Sequence, residues 1–317
     1  MGSRVAKKLM NDFKIIIADK VAPEERGVVF SPEVEFRLGD LRDPKKCREA
    51  LDGADLVLHL AANIGPLTYM HEHQAEIMQE NSAIDAALYP AMVKQGKIKA
   101  VVYSSSSMVF QHASSYPYKE EDLKNINPPT NVYGFSKLVG EYFCRSFKEQ
   151  YGLPYVILRY HNIYGPGEDS KGSSPGDIHV IPALIEKVLS GQYPMVLLGN
   201  PQATRPFTFV DDAVDVTIKI VEEAMKGNSR VINDDFNIGI DKATKILDLA
   251  KIIWRLLGDG RPFKYEIEET FAITSVRREM DATKIEEIIG WQPKVSLLEG
   301  ILKTAEWVKI KQVDSCK

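Results

Sequence analysis

The sequence predicts a doubly wound parallel α/β sheet followed by a smaller C-terminal domain. Three observations predict it. Short apolar, β-branched runs recur and end in small or acidic residues. Helical stretches separate them, the pattern of βαβ units whose sheet is covered on both faces. After about residue 165 a Gly/Ser/Pro-rich run, GPGEDSKGSSPGD (165–177), interrupts the pattern.

The elements follow in order. FKIIIAD (13–19), ADLVLHLAA (54–62), KAVVYSSSS (99–107) and PYVILRYHNIYG (154–165) are predicted strands. Helices are predicted ahead of each: RVAKKLM, PKKCREAL, EIMQENSAIDAALYPAMVKQG and YGFSKLVGEYFCRSFKEQYG. Beyond the break come a helix (VIPALIEKVLSG), a strand (MVLLG) and a helix (VDDAVDVTIKIVEEAMKG). Residues 1–165 are therefore assigned to the sheet domain. Residues 166–317 are assigned mainly to the smaller domain, with some segments returning to the first. Ligands of such sheets bind beyond the carboxyl ends of the strands. Asp19, Ala61, Ala62, Ser104 to Ser107, His161 and Asn162 fall there.

Composition excludes several classes. The chain has 317 residues, 44% hydrophobic and 26% charged, enough for a sizeable core. A net charge of −4 gives no field for nucleic acid or an anionic membrane. No apolar run approaches a membrane span, and no signal-peptide pattern opens the sequence. Cys47, Cys144 and Cys316 lie far apart, which suits a reducing cytoplasm better than a disulfide framework or a metal site. HEH (71–73) lacks a third partner at metal-ligand spacing and reads as a polar loop.

Chemistry is concentrated in NVYGFSKLVG (131–140). Tyr133 and Lys137 are one helical turn apart and project from one face. An ammonium beside a phenol favours the phenolate, so Lys137 is expected to lower the pKa of Tyr133 and fit it for proton transfer. A hydroxyl from SSSS (104–107) would bond the same substrate oxygen. Such a set removes a proton from a sugar alcohol while hydride leaves its carbon for a nicotinamide.

These motifs, with GDL (39–41), HLAA (59–62), YSSSSMVF (103–110), YGFSK (133–137), LRYHNIYGPG (158–167), TRPFTFVDD (204–212), FNIG (236–239) and IGWQP (289–293), give a clear resemblance. The chain resembles the extended short-chain dehydrogenases/reductases of the nucleotide-sugar epimerase/dehydratase family, over nearly its whole length. ADLVLHLAANIGPL, RYHNIYGP and RPFTFVDD look most like the GDP-mannose 3,5-epimerase branch. The resemblance implies a Rossmann-like fold, NAD as cofactor, a nucleotide-sugar substrate and a homodimer built on helices 75–95 and 133–150. It implies Tyr133 as catalytic acid/base, Lys137 on the nicotinamide ribose and Ser106 on the reacting sugar oxygen. Gly2 would begin the phosphate-facing helix. Asp19 would take the adenosine ribose hydroxyls and so favour NAD over NADP. Asp40 and Leu41 would flank adenine, Ala61 and Ala62 would let the cofactor approach, and Asn81 would face it. Asn162, Arg205 and Arg278 would hold the nucleotide diphosphate. The residues alone leave alternatives open: Asp40 as a helix cap, Asn162 as a turn residue, Arg277 in place of Arg278.

The sequence departs from the family at two places. The family begins with a strand and a GxxGxxG turn, and only a glycine matching the last, Gly2, is present here. The expectation is a shortened record that binds NAD poorly. The second departure follows the serine run. Dehydratases carry an acidic pair there and decarboxylases a glutamate, while the 3,5-epimerases use a cysteine and a later lysine. Here Ser107 and Met108 stand at those places, and no lysine occurs between Gly172 and Glu186. Chemistry needing only Ser106, Tyr133, Lys137 and NAD is C4 epimerisation through a transient 4-keto sugar. The alternatives are a 3,5-epimerase-like enzyme, a 4-oxidase or reductase, or a non-catalytic nucleotide-binding homologue.

Overall fold

The computed structural model describes residues 1–65, 67–167, 179–269 and 276–315. The predicted loop is therefore largely outside the described residues, as is Cys316. In chain order the first part comprises α1 (Gly2–Leu9), β1 (Ile16–Asp19), β2 (Glu35–Leu38), α2 (Pro44–Leu51), β3 (Val57–His59), α3 (Leu67–Glu72), α4 (Gln74–Gln95), β4 (Val101–Ser106), α5 (Val132–Tyr151) and β5 (Tyr155–Tyr160). Then follow β6 (Ile163–Tyr164), α6 (Val180–Leu189), β7 (Met195–Leu198), β8 (Thr204–Pro206), β9 (Thr208–Phe209), α7 (Val210–Met225) and β10 (Asp234–Ile238).

The central sheet is parallel, in the order β10-β5-β4-β3. β10, from beyond residue 166, thus completes the sheet begun by the first half. A second parallel sheet pairs β1 with β2. β2 is absent from the sequence prediction. EFRL is short, partly charged and only half-buried, so it lacks the apolar run that marks the others. His71 sits in α3 and His73 caps α4, so HEH is a helix junction rather than a loop.

Strand alternation explains the double winding. Val101, Tyr103, Tyr155 and Ile157 join Leu51, Leu88, Met92 and Cys144 in one core. Val102, Val156 and Leu158 turn to the other face and meet Val5, Leu9, Val214, Ile220 and Phe236. Helix boundaries follow local chemistry. Asp43 caps α2 by accepting from the Lys45 amide at 2.7 Å, with Pro44 at the first helical position. α4 and α5 end at Gly96 and Gly152 with φ of 74° and 71°, the left-handed stop that glycine adopts without strain.

Candidate active site

The carboxyl end of β4 carries the serine run directly to α5. Ser106 closes β4 and its Oγ accepts from the Met108 amide at 3.2 Å, starting a tight helical turn over Ser107–Phe110. α5 is capped by Asn131, whose side chain accepts from the Gly134 amide at 3.1 Å. Gly134 is required there: a Cβ would stand 2.8 Å from the Met108 carbonyl oxygen and 3.1 Å from its Cβ. The bare backbone lets α5 close onto the turn after β4. Tyr133 is thereby set near Ser106, whose side chain acts to lower it.

Lys137 is 4% exposed, and its Nζ donates to the Ser104 carbonyl at 2.8 Å. The same Nζ lies 5.1 Å from the Tyr103 ring centre and 6.0 Å from that of Tyr133. Burial pulls the Lys137 ammonium down to about 8, with Asp85 acting in the opposite direction. Tyr133 departs from the sequence expectation. Burial raises it above its ordinary value, against a smaller lowering by the Ser106 side chain. The ammonium addresses Ser104 and the Tyr103 face, not the Tyr133 hydroxyl, so it does not lower the phenol in this arrangement.

An ion network locks this end of the sheet. Glu141, one turn beyond Lys137, accepts from Arg159 Nε and Nη2 at 2.8 Å each and from Ser105 Oγ at 2.7 Å. Arg159 also pairs with Asp235, and Arg145 joins both acids. Glu141 and Arg159 are each 0% exposed. Arg159 opposes burial so effectively that the Glu141 carboxyl stays below its usual range.

The remaining predicted cofactor residues lie on α1, at the end of β1, after β2, after β3 and on α4. Gly2 opens α1, where an added Cβ would touch the Leu60 side chain at 3.4 Å, bringing the start of α1 beside Ala61 and Ala62. Both alanines are half-buried. Asp19 ends β1; its carboxylate accepts from the Val21 amide at 3.0 Å and faces Arg26 at 3.6 Å, leaving 40% of the side chain exposed. Asp40 follows β2 and binds Arg42, which holds its carboxyl below the usual range. It does not cap α2, which Asp43 does. The Leu41 carbonyl accepts from Cys47 Sγ at 3.0 Å. Asn81 turns inward: it accepts from the Asn63 amide at 2.6 Å and donates to the Asn63 carbonyl and Ser136 Oγ.

The substrate-side residues gather beyond β5. Asn162 adopts φ 40° and donates to the Pro206 carbonyl at 3.0 Å, so it is both a turn residue and a link to β8. Arg205 donates to the Thr204 carbonyl at 2.7 Å. Burial and then Arg278 push Arg205 down to about 9. Arg278 is itself depressed by burial and senses Tyr118 and Tyr116. Arg277 instead lies on the surface paired with Glu279 at 2.7 Å. His161 is fully buried behind them and held well below its ordinary value by burial and by both arginines. Tyr118 joins this floor through a 3.4 Å contact between its hydroxyl and His161 Nε2. Sequence reasoning put His161 among the strand-end residues without giving it a role, and missed Tyr118 and the Glu141–Arg159 network. His161 stood at a strand end, which was a usable signal; the others depend on long-range pairing.

A family model described as "NAD dependent epimerase/dehydratase family" matches residues 1–239. The chain belongs to that family. NAD is its cofactor. GDP-mannose 3,5-epimerase 1 of Oryza sativa subsp. japonica is 28% identical over 314 residues, covering 98% of this chain and 79% of that protein. The crystal structure of UDP-glucose 4-epimerase from Thermotoga maritima, with UDP-glucose, superposes with a TM-score of 0.83 at 25% identity, over 98% of this chain and 96% of that one. UDP-N-acetylglucosamine 4-epimerase from Methanobrevibacter ruminantium M1, in complex with UDP-N-acetylmuramic acid, gives 0.82 at 26% identity, over 98% and 95%. No helix among the described residues is long and apolar enough to cross a membrane. No group of His, Cys, Asp or Glu among them is arranged to hold a metal ion.

Proposed function

We propose that the chain is an NAD-dependent nucleotide-sugar 4-epimerase working through a transient 4-keto sugar. The observation that supports this reading is that Ser106 lies close enough to Tyr133 to lower it, with Lys137 anchored on the Ser104 carbonyl and only Ser107 and Met108 following Ser106. That set serves oxidation and re-reduction at one carbon. It lacks the acidic residues that a dehydratase or decarboxylase would carry after the serine.

The residues suit NAD on donor chemistry. Asp19 offers an accepting carboxylate at a strand end, as ribose hydroxyls require, and the half-buried alanines leave room for a flat group. Gly2, Asp40, Leu41 and Asn81 are assigned to the same cofactor, and Lys137 to the nicotinamide ribose. Bound NAD supplies the hydride acceptor and donor. As the phenolate, Tyr133 Oη would take the proton of the sugar hydroxyl, becoming the phenol, and would return it when the 4-keto sugar is reduced. Ser106 holds the sugar oxygen in line with Tyr133. The Lys137 ammonium is assigned to hold the nicotinamide ribose beside Tyr133, 6.0 Å from the Tyr133 ring centre. Arg278 depresses Arg205, so a diphosphate beside them would relieve like-charge repulsion. Asn162 positions the loop that faces the same group. Residues 166–317 are read as mainly substrate-binding.

A homodimer is part of the proposal. Tyr142 and Tyr151 on α5 are 63% and 53% exposed, an aromatic edge that a second copy would cover. A monomeric mass in light scattering at tens of micromolar counts against it.

The deciding experiment incubates the protein and NAD with UDP-glucose, UDP-N-acetylglucosamine and GDP-mannose, and reads products by proton NMR. Inversion at C4 supports the reading. Inversion at C3 and C5 of GDP-mannose replaces it with the 3,5-epimerase reading. Bound NAD without any product leaves a non-catalytic homologue.

A further inference from the structure

Behind Lys137 lies a buried cluster that the proposed mechanism does not use. His59, Asp85, Tyr103 and Lys137 come from β3, α4, β4 and α5, and none is more than 4% exposed. His59 Nε2 meets Asp85 Oδ1 at 2.8 Å. The His59 ring stands edge-on to Tyr103, with centres 5.4 Å apart at 69°. The Lys137 ammonium lies over that same Tyr103 ring. Gly140 closes the cluster. A Cβ there would come within 1.9 Å of the Tyr103 hydroxyl and 2.9 Å of Asp85 Oδ2, so both oxygens crowd one small space beside α5. Any larger residue at 140 would push them away.

A buried carboxylate requires compensation. One oxygen of Asp85 has it from the imidazole. The other faces the space between Tyr103 and α5, one turn from Lys137. We propose that the His59–Asp85 pair is a positioning element that holds Lys137 as an ammonium beneath the active site and so sets the alkaline limit of activity. The link to activity rests on the role proposed above for Lys137.

The groups facing Lys137 come from every element packed on it. β4 supplies Tyr103 and the Ser104 carbonyl, α5 supplies Tyr133 and Cys144, and α4 supplies Asp85, with His59 of β3 behind. Burial of the Cys144 thiol pushes it far above its ordinary value, so it stays uncharged. Asp85 is thus the anionic side chain of the set, and the first of the groups that counter the burial of Lys137.

The test follows the Lys137 side chain directly, without cofactor or substrate. The full chain is labelled with 13Cε-lysine, Lys137 is assigned through Lys137→Arg, and its titration is recorded by NMR in wild type, Asp85→Asn and Asp85→Glu. Asp85→Asn keeps an acceptor for His59 but removes the charge. Its Lys137 midpoint is expected to fall by about one pH unit, a roughly tenfold loss of proton affinity, while other lysines stay fixed. Asp85→Glu is expected to hold the wild-type midpoint more closely. The alkaline limb of the pH–rate profile in Asp85→Asn is expected to move down in parallel. An unmoved Lys137 midpoint in folded Asp85→Asn overturns the inference. Should that variant not fold, the unmutated chain carries the test, because coupling is reciprocal. With 13Cγ-aspartate, Asp85 must show a step at the Lys137 midpoint, and its absence overturns the proposal equally. The two readings separate cleanly. Failure of the epimerase reading leaves the Lys137 shift intact with no C4 product; failure of this inference leaves C4 product with an unresponsive Lys137.

Discussion

Replacing Glu141 by Gln is expected to destabilise the chain by about 3–5 kcal/mol, the range for breaking one side of a buried ion pair. The structure supports a value in that range. Glu141 and Arg159 are fully buried and joined by two 2.8 Å charge-assisted bonds, and Glu141 also takes Ser105 Oγ. Gln keeps an acceptor for one of those donors but turns its amide toward the other, leaving the guanidinium dependent on Asp235. Thermal melting checks this, with an expected loss of roughly 5–10 °C for a protein of this size. A cycle with Arg159→Met isolates the pair: the double variant should be less destabilised than the two singles together by about 2 kcal/mol. The pH dependence has a defined sign. The Glu141 carboxyl is depressed in the folded chain. Its contribution is therefore present above the unfolded value, near 4.3, and is lost as pH falls through the folded value, about as far as acid unfolding is followed. Glu141→Gln should then flatten the acid side of the stability profile. A Glu141→Gln variant melting within about 1 °C of wild type, with an unchanged acid profile, would refute the reasoning.

Tyr133→Phe should leave the melting temperature near wild type and lower turnover by ~10² or more, read by coupled assay of C4 inversion. Lys137 has a folded value of about 8 against an ordinary 10.5, so the unfolded chain binds more protons between them. Stability relative to Lys137→Met should therefore rise with pH across that window while activity falls, and a flat difference would sink the assignment. Arg278→Ala should raise the KM for the nucleotide sugar by ~10-fold or more with little change for Arg277→Ala, since only the former lies in the buried cluster. Gly134→Ala should cost activity more than its helix propensity predicts, because its Cβ would meet the Met108 carbonyl at 2.8 Å and drive Tyr133 from Ser106.

How much was legible in the sequence depended on range. α2 falls on PKKCREAL as predicted, because Asp43, Pro44 and the apolar spacing are local signals. The long helices α4 and α5 and the strands β4 and β5 were legible for the same reason. Tyr133, Lys137 and Ser106 were brought together as the motif implied. The electrostatics were not legible. The spacing of Tyr133 and Lys137 suggested a lowered phenol, but burial dominates and the ammonium turns to Ser104. Asp85 and Glu141 look like polar positions of ordinary helices until the fold buries them against His59 and Arg159. The ties of the Asn81 amide to Asn63 and Ser136 likewise had no local signal.

The separation of β1 and β2 from the central sheet has a consequence for timing. Asp19 and Asp40 ride on this small pair, while Ser106 rides on β4. No ladder of backbone hydrogen bonds joins the two sheets; α2 packs on both β1 and α4 and bridges them. In the proposed binding mode the adenosine end of a dinucleotide and its reactive end would rest on different sheets. Amide exchange should show two rates, with residues 16–19 and 35–38 exchanging well ahead of residues 101–106 and 155–160. NAD would tie the two sheets together, and its occupancy should appear as slowing of the faster set alone.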